Sequence, residues 1–125
     1  VFHDDKPDMV ILPGGMPGTR NLDASPVVDA ALKATAASDG YLAAICAAPM
    51  VLGKRGLLKG KRAICFPGFE KFLDGAILSN RHVVRDGKTV TAAGMGVALD
   101  FGLELVAMLC GDVAAENLRA SIIAG

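Results

Sequence analysis

Residues 41–45 form a continuous apolar run, Tyr-Leu-Ala-Ala-Ile, in which no polar residue alternates with the apolar ones. A strand with one solvated face shows such alternation, so this run predicts a strand that is covered on both faces. Strands of this kind occur in parallel sheets that carry helices on both sides. This run therefore restricts the fold more than any other feature of the sequence.

The flanking segments predict the same alternation of strands and helices. A second apolar run, residues 9–12, ends at Pro13-Gly14-Gly15 and predicts another buried strand that leads into a loop. Ser25 followed by Pro26 is typical of a helix N-terminus, and Gly40 of its end. The remaining predicted elements are a third strand from Arg62 to Phe66, a hairpin with Asp86-Gly87 as its turn, a helix over Leu99–Cys110 ended by Gly111, and a last helix capped by Asp112. We predict an α/β fold with a mostly parallel sheet.

Composition excludes several functional classes. The 125 residues suffice for one domain, and 52% are hydrophobic, which is too high a share for a disordered tail. Thirteen basic residues balance thirteen acidic ones, so we expect neither nucleic acid nor a membrane surface as a partner. The longest apolar run, Leu42–Leu52, is too short to span a bilayer.

The cysteines predict a reducing compartment. There are three of them, Cys46, Cys65 and Cys110, and no two form a Cys-x-x-Cys pair, which argues against zinc and against a redox dithiol. Free thiols are typical of the cytoplasm, which is the predicted location. Cys65 and Cys110 fall within a predicted strand and a predicted helix, and we expect both to be core residues without a role.

Cys46 is the candidate reactive residue. It follows the apolar run directly, and residues 47–52 predict a short apolar helix after it. This strand-to-helix junction is the position of the nucleophile in the elbow of many hydrolases, and the small neighbours Ala44 and Ala47 suit a tight turn. A helix N-terminus would also favour the thiolate. The alternative interpretation is a structural cysteine of the core.

The Gly14-Gly15 pair is the candidate partner of this thiol. It leaves the carboxyl end of the first predicted strand, and ligand sites of open α/β sheets lie outside the carboxyl ends of the strands. Adjacent glycines let backbone N–H groups approach developing negative charge closely. The alternative is an ordinary turn between a strand and a loop.

Other motifs indicate less about function. Gly94-x-Gly96 lacks the third glycine of a dinucleotide fingerprint because Leu99 stands in that place, so nucleotide binding is not expected. His82 lies at the mouth of the predicted hairpin, where we expect a solvated histidine and not a base for Cys46. His3 lies in the entry segment and is a weaker candidate still.

An ordered series of short motifs closely resembles the ThiJ/PfpI family, a part of the class I glutamine amidotransferase-like superfamily. The nearest branch resembles that of the Parkinson-linked protein deglycase and its bacterial relatives. The matching segments, which span essentially the whole chain, are Leu12-Pro13-Gly14-Gly15-Met16-Pro17-Gly18, Asn21-Leu22, Ala44-Ile45-Cys46-Ala47-Ala48-Pro49, Gly56-Leu57-Leu58, Gly60-Lys61, Phe66-Pro67, Val84-x-Asp86-Gly87, Thr91-Ala92-Ala93-Gly94 and Phe101-x-Leu103-Glu104-Leu105-Val106.

The resemblance implies a fold and a set of site residues. The fold would be a flavodoxin-like, three-layer sandwich, with residues 1–125 as the C-terminal portion of a single ThiJ/PfpI domain. Cys46 would be the nucleophile and redox-sensitive thiol, with the amides of Gly14, Gly15 and Ala47 as its oxyanion donors. The family chemistry implies neither an organic cofactor nor a metal. Ala47 stands where peptidase-like members carry histidine, and Phe66 where some members carry another histidine near the thiol.

The resemblance also implies that the first βαβ unit of the fold is missing. That unit holds the family's glutamate partner of the cysteine, and its central strand would pair with residues 9–12. We therefore expect this polypeptide to be part of a longer precursor whose first unit is retained after cleavage, supplied by another chain, or outside this sequence. A shortened natural variant that dimerises over the edge is the alternative. A homodimer is the expected assembly.

Three functions follow from the resemblance. The first is a cofactor-independent glyoxalase or deglycase in which Cys46 forms a hemithioacetal with methylglyoxal-type α-oxoaldehydes or their protein adducts. The second is a redox-sensing stress or chaperone-like protein that uses oxidation of Cys46. The third is a thiazole-biosynthesis, amidase or protease-like role, which nothing specific in the sequence favours.

Overall fold

The computed structural model describes residues 8–15 and 18–121. His3 and the Met16-Pro17 pair lie outside these residues. Helices and strands intermix up to residue 53, four strands then follow one another, and two helices end the described chain, which together confirm the predicted α/β class. The elements are β1 (Met9–Leu12), α1 (Gly18–Ala24), α2 (Pro26–Ala37), β2 (Tyr41–Ile45), α3 (Pro49–Gly53), β3 (Arg62–Ala63), β4 (Ile77–Leu78), β5 (Val83–Asp86), β6 (Thr89–Ala92), α4 (Ala98–Cys110) and α5 (Asp112–Ser121), with 3₁₀ turns at Glu70–Phe72 and Met95–Val97.

The main sheet has the order β1-β2-β6-β5. β1 pairs in parallel with β2, with Met9 opposite Tyr41, and β2 pairs in parallel with β6, with Leu42 opposite Thr89. β5 joins antiparallel to β6 in the predicted hairpin, but Asp86 pairs with Thr89, so the turn residues are Gly87 and Lys88, one position later than predicted. Because β1, β2 and β6 run in one direction, their carboxyl ends meet at one edge of the sheet.

Alternate side chains of β2 face two separate cores. Leu42 and Ala44 belong to a core with α2 and α3, whereas Ala43 belongs to a core with Phe101 and Leu105 of α4. The strand is therefore covered on both faces, as its unbroken apolar run predicts. Helices on both sides of a mostly parallel sheet give the three-layer sandwich.

The expected third strand from Arg62 to Phe66 is wrong in extent. β3 has only two residues and pairs with β4 in a separate two-stranded sheet. The next residues leave this pairing because Ile64 N–H donates to Thr91 Oγ1 at 3.0 Å and Phe66 N–H donates to the carbonyl of Cys46 at 2.7 Å. The segment thus lies across the carboxyl edge of the main sheet.

The ends of α2 show one confirmed prediction and one correction. Ser25 caps the helix by accepting a hydrogen bond from Val28 N–H, as the Ser-Pro pair predicts. At the other end Asp39, not Gly40, adopts a positive φ, of 59°. Gly40 is required for a different reason, because a Cβ there would lie 2.6 Å from the Thr35 methyl carbon.

Candidate functional site

Cys46 occupies the turn that leaves β2, at the carboxyl edge of the sheet, as its sequence position predicts. Its φ is 65°, in the left-handed region that residues with a Cβ rarely adopt. A non-glycine residue in this region costs about 1–3 kcal/mol and persists only where its surroundings hold it. The half-buried thiol is therefore presented by a strained backbone.

Two hydrogen bonds from distant parts of the chain hold this strained peptide. Cys46 N–H donates to the carbonyl of Ala92, at the end of β6, over 2.9 Å. The carbonyl of Cys46 accepts from Phe66 N–H over 2.7 Å. Sequence reasoning missed both partners, because neither residue type signals a backbone contact with a cysteine so far away.

The loop after β1 touches Cys46 through Gly14. A Cβ built on Gly14 would lie 2.4 Å from Cys46 Cβ and 2.6 Å from the carbonyl oxygen of Ile45. Only glycine allows this approach, since real Cβ atoms do not occur at such distances. The structure thus brings the glycine loop into contact with Cys46, and these are two of the segments that the sequence predicts to form the site.

Three backbone N–H groups near Cys46 lack acceptors within residues 8–15 and 18–121. They belong to Gly14, Gly15 and Ala47, the amides proposed as oxyanion donors. Gly15 has a φ of 100°, which favours glycine. The case of Ala47 is the most informative because the residue is only 2% exposed, and a buried unpaired amide is rare in folded proteins.

The predicted support from a helix dipole is weaker than expected. α3 has five residues and begins at Pro49, three residues after Cys46. A helix this short has a small macrodipole, and the effect is confined to the adjacent turn. The glycine loop and the Ala47 amide are thus the nearer sources of positive potential.

The described residues provide no hydrogen-bonded acid or base for the thiol. No side chain in that part of the chain donates to or accepts from Cys46 Sγ. His82 lies just before β5 and is exposed, in agreement with its predicted solvation, although it lines a groove that also includes Phe66.

The other two cysteines differ from one another. Cys65 is a core residue, as predicted, and is 2% exposed. Its burial, with smaller contributions from the negative charges of Glu70 and Cys46, raises the pKa of its thiol to about 11. Cys110, at the end of α4, is exposed, so its predicted core position is wrong.

The described residues form neither a metal site nor a membrane span. No group of three or more His, Cys, Asp or Glu side chains there is arranged to hold a metal ion. No helix in residues 18–121 is long and apolar enough to cross a membrane.

A strained cysteine at the carboxyl edge of a parallel sheet, in contact with a glycine loop, defines a cysteine-centred α/β protein. The model of the DJ-1/PfpI family matches residues 2–108, and the chain belongs to this family. The sequence is 33% identical over 121 residues to protein dj-1beta of Drosophila melanogaster, covering 95% of this chain and 65% of that protein. The crystal structure of a DJ-1 superfamily protein from Salmonella typhimurium superposes with a TM-score of 0.89 at 34% identity, covering 96% of this chain and 66% of that one.

Two further relatives carry the names of enzymes. A glutathione-independent glyoxalase of Caenorhabditis elegans is 33% identical over 113 residues, covering 89% of this chain and 60% of the glyoxalase. An isonitrile hydratase of Pseudomonas putida is 34% identical over 117 residues, covering 92% of this chain and 51% of the hydratase. The chain thus spans between about half and two thirds of the length of these curated relatives.

Proposed function

We propose that this chain carries the thiol centre of a cofactor-independent enzyme of the glyoxalase or deglycase type, which acts on small α-oxoaldehydes. Its substrates would be methylglyoxal-like aldehydes, free or as adducts on protein amines. The observation that carries the proposal is the buried, unpaired amide of Ala47 beside the strained Cys46. The glyoxalase named among its relatives supports the same reaction class.

The unpaired amides suit the first chemical step. The Cys46 thiolate adds to the aldehyde carbon, a C–S bond forms, and the electron pair of the carbonyl moves onto its oxygen. N–H donors placed where this charge develops stabilise the transition state more than the substrate. Ala47 and the Gly14-Gly15 loop offer such donors, whereas the N–H of Cys46 itself is engaged with Ala92.

The later steps need a group that moves a proton. From the hemithioacetal, a proton passes from the former aldehyde carbon to the neighbouring carbonyl carbon and gives a thioester of the hydroxyacid. Water then hydrolyses this thioester, which releases the hydroxyacid and restores the thiol. No carboxylate or imidazole of the described residues bonds Cys46, so we assign the base to the glutamate that the family places in its first βα unit.

The proposal is tested by following adduct formation separately from turnover. Brief incubation with methylglyoxal and intact mass analysis under native conditions should show one added aldehyde, held as a hemithioacetal. Peptide mapping should show that the same incubation protects Cys46 reversibly from alkylation by iodoacetamide. Cys46→Ala should lose this adduct, and Cys110→Ala, which removes an exposed thiol elsewhere, should keep it. Formation of hydroxyacid is measured in the same samples as a separate readout of the group that moves the proton. An adduct that survives Cys46→Ala would overturn the proposal.

A redox-responsive stress function is the second candidate. The same unpaired amides suit a sulfinate on Cys46, the product of two-oxygen oxidation by peroxide. Mild peroxide should add two oxygens to Cys46 and stop there. The exposed Cys110 should either stay unmodified or not stop at the sulfinate. Equal oxidation of the two thiols would show that the surroundings of Cys46 do not direct the reaction.

A further inference from the structure

An apolar groove of about 350 Å³ lies beside Cys46 on the carboxyl edge of the sheet. We call it the Phe66 groove; its walls include Ile64, Phe66, Pro67, Gly94 and Val97. It begins at the two segments that hold Cys46, because Phe66 N–H donates to the Cys46 carbonyl and Gly94 follows soon after Ala92, the acceptor of Cys46 N–H. The groove therefore adjoins the peptide of Cys46, and Cys65, which lines the groove, lies near enough to the Cys46 thiol for its charge to contribute to the raised pKa of Cys65.

The lining of the groove favours an apolar occupant. Phe66 is 46% exposed, and its side chain forms part of the groove wall. Its position is fixed from behind by Phe69, whose ring centroid lies 6.5 Å away at an interplanar angle of 59°. A Cβ on Gly94 would be 3.6 Å from the Phe66 ring, so glycine leaves this part of the groove open.

Besides the buried Cys65 thiol, the groove has two side chains that can carry a charge, Glu70 and His82. Glu70 accepts a hydrogen bond from Gly68 N–H at 2.7 Å, and His82 is exposed. A charged substituent would gain little from this lining. The volume is at the lower end of that of small-molecule sites, and it exceeds what a methyl group fills.

We propose that the Phe66 groove binds the substituent of the carbonyl substrate, and that Phe66 makes the site selective for aryl and branched alkyl α-oxoaldehydes over methylglyoxal. This inference rests on the proposed function for the nature of the reacting group. The substituent packs against the exposed face of Phe66 while the carbonyl carbon stands at Cys46. Burial of a phenyl group against such a wall gives a selectivity of about tenfold or more.

The test uses alkylation of Cys46, because it needs no base. 2-Chloroacetophenone and chloroacetone both alkylate a thiolate: the C–S bond forms, the C–Cl bond breaks and chloride leaves. The rate ratio of the aryl to the methyl reagent is measured at Cys46 and, in the same chain, at the exposed Cys110 as an internal reference. We expect the ratio at Cys46 to exceed that at Cys110 about tenfold or more.

Two variants change the groove in different ways. Phe66→Ala removes the wall, and Gly94→Val fills the open side at a residue whose φ of −177° any side chain adopts. Both should bring the ratio at Cys46 close to that at Cys110. Phe72→Leu changes a ring that lines a different cavity and should leave it unchanged. Thermal melting confirms that each variant is folded.

The outcomes separate this inference from the proposed function. Equal ratios at the two cysteines, or an aryl preference that survives both Phe66→Ala and Gly94→Val, would overturn the groove as a specificity site. An aryl preference that depends on Phe66, in a chain that forms no methylglyoxal or phenylglyoxal adduct at Cys46, would support the groove and contradict the aldehyde chemistry. Methylglyoxal and phenylglyoxal adducts at Cys46 in a chain that shows no aryl preference would support the aldehyde chemistry and contradict the groove.

Discussion

The left-handed φ of Cys46 reverses the usual effect of glycine at this position. Glycine normally lowers stability because it gains freedom in the unfolded chain, but in the left-handed region it also removes the steric cost of a Cβ. We expect the free energy of unfolding of Cys46→Gly to exceed that of Cys46→Ala by about 1 kcal/mol. Chemical denaturation of the two variants measures the difference, and a more stable alanine variant would contradict the strain.

The second prediction for a single residue concerns Gly14. Gly14→Ala places a methyl group against Cys46 Cβ and the Ile45 carbonyl, so the loop or the cysteine turn must shift. We expect a loss of about 1–3 kcal/mol in unfolding free energy and slower alkylation of Cys46.

Gly102→Ala is the matched control for this substitution. Gly102 lies within α4, and a Cβ there meets nothing within 4 Å. Alanine is favoured over glycine inside a helix, so this variant should be more stable by about 0.5–1 kcal/mol. If Gly14→Ala were as well tolerated as Gly102→Ala, the close approach of loop and cysteine would be wrong.

At the scale of elements, Arg55 joins the three helices on one side of the sheet. It follows α3, bonds the Val51 carbonyl of that helix, and reaches Asp23 of α1 at 2.6 Å and Asp29 of α2 at 2.8 Å. Its Nη2 also donates to the Asp23 carbonyl at 2.8 Å. Burial of the Asp23 carboxylate opposes its ionisation, but hydrogen bonds from Lys54 and Arg55 outweigh burial and lower its pKa below 3.8.

Arg55→Ala should therefore lower the free energy of unfolding by about 2 kcal/mol, since it removes the bonds to Asp23 and Asp29 and leaves the partly buried Asp23 carboxylate with Lys54 alone. Lys33→Ala removes an exposed ion pair to Asp29 and should change stability by less than about 0.5 kcal/mol. Urea denaturation of both variants makes the comparison. Equal effects would show that Arg55 is one more surface charge and does not hold the helices together.

Local and distant interactions explain which features the sequence predicts. β2, the Ser25 cap and the β5-β6 hairpin follow from neighbouring residues and agree with the structure, with the turn one residue later than predicted. α1 has no such signal in its sequence, so the sequence predicts no helix over Gly18–Ala24. The path of residues 64–66 depends on bonds to Thr91 and Cys46, so a strand pattern alone extends β3 too far.

The candidate site divides in the same way. The positions of Cys46 and of the glycine loop can be predicted from neighbouring residues, because each directly follows an apolar run that indicates a strand. The Phe66 groove does not, because its walls come from segments that meet only in the folded sheet. The roles of Cys46, Gly14, Gly15 and Ala47 remain predictions, as does the homodimer.

For the whole molecule, stability should fall at both ends of the pH scale. The folded pKa of Asp23 lies below its ordinary value, so its contribution is present above about pH 4 and is lost as pH falls through the folded pKa. The folded pKa of Cys65 lies near 11, above the ordinary 9.0, so its contribution is present below pH 9 and is lost between pH 9 and 11.

The alkaline loss has a direct check. Cys65→Ala removes the titrating thiol, so its thermal midpoint should fall less steeply between pH 9 and 11 than that of the parent, whereas Cys110→Ala should follow the parent. The difference in unfolding free energy is at most about 3 kcal/mol, from a shift of two pKa units. Parallel curves for all three proteins would assign the alkaline loss to other groups.

The two hydrogen bonds that hold Cys46 have a consequence for the order of folding. Both partners, Phe66 and Ala92, are distant in the chain, and contacts that close long loops form late. Until β6 has docked, nothing holds the backbone of Cys46 in its strained geometry, and a growing chain carries an ordinary cysteine through most of its synthesis. The protein thus acquires its distinctive thiol only at the end of assembly, and the chemistry of that thiol reports that assembly is complete.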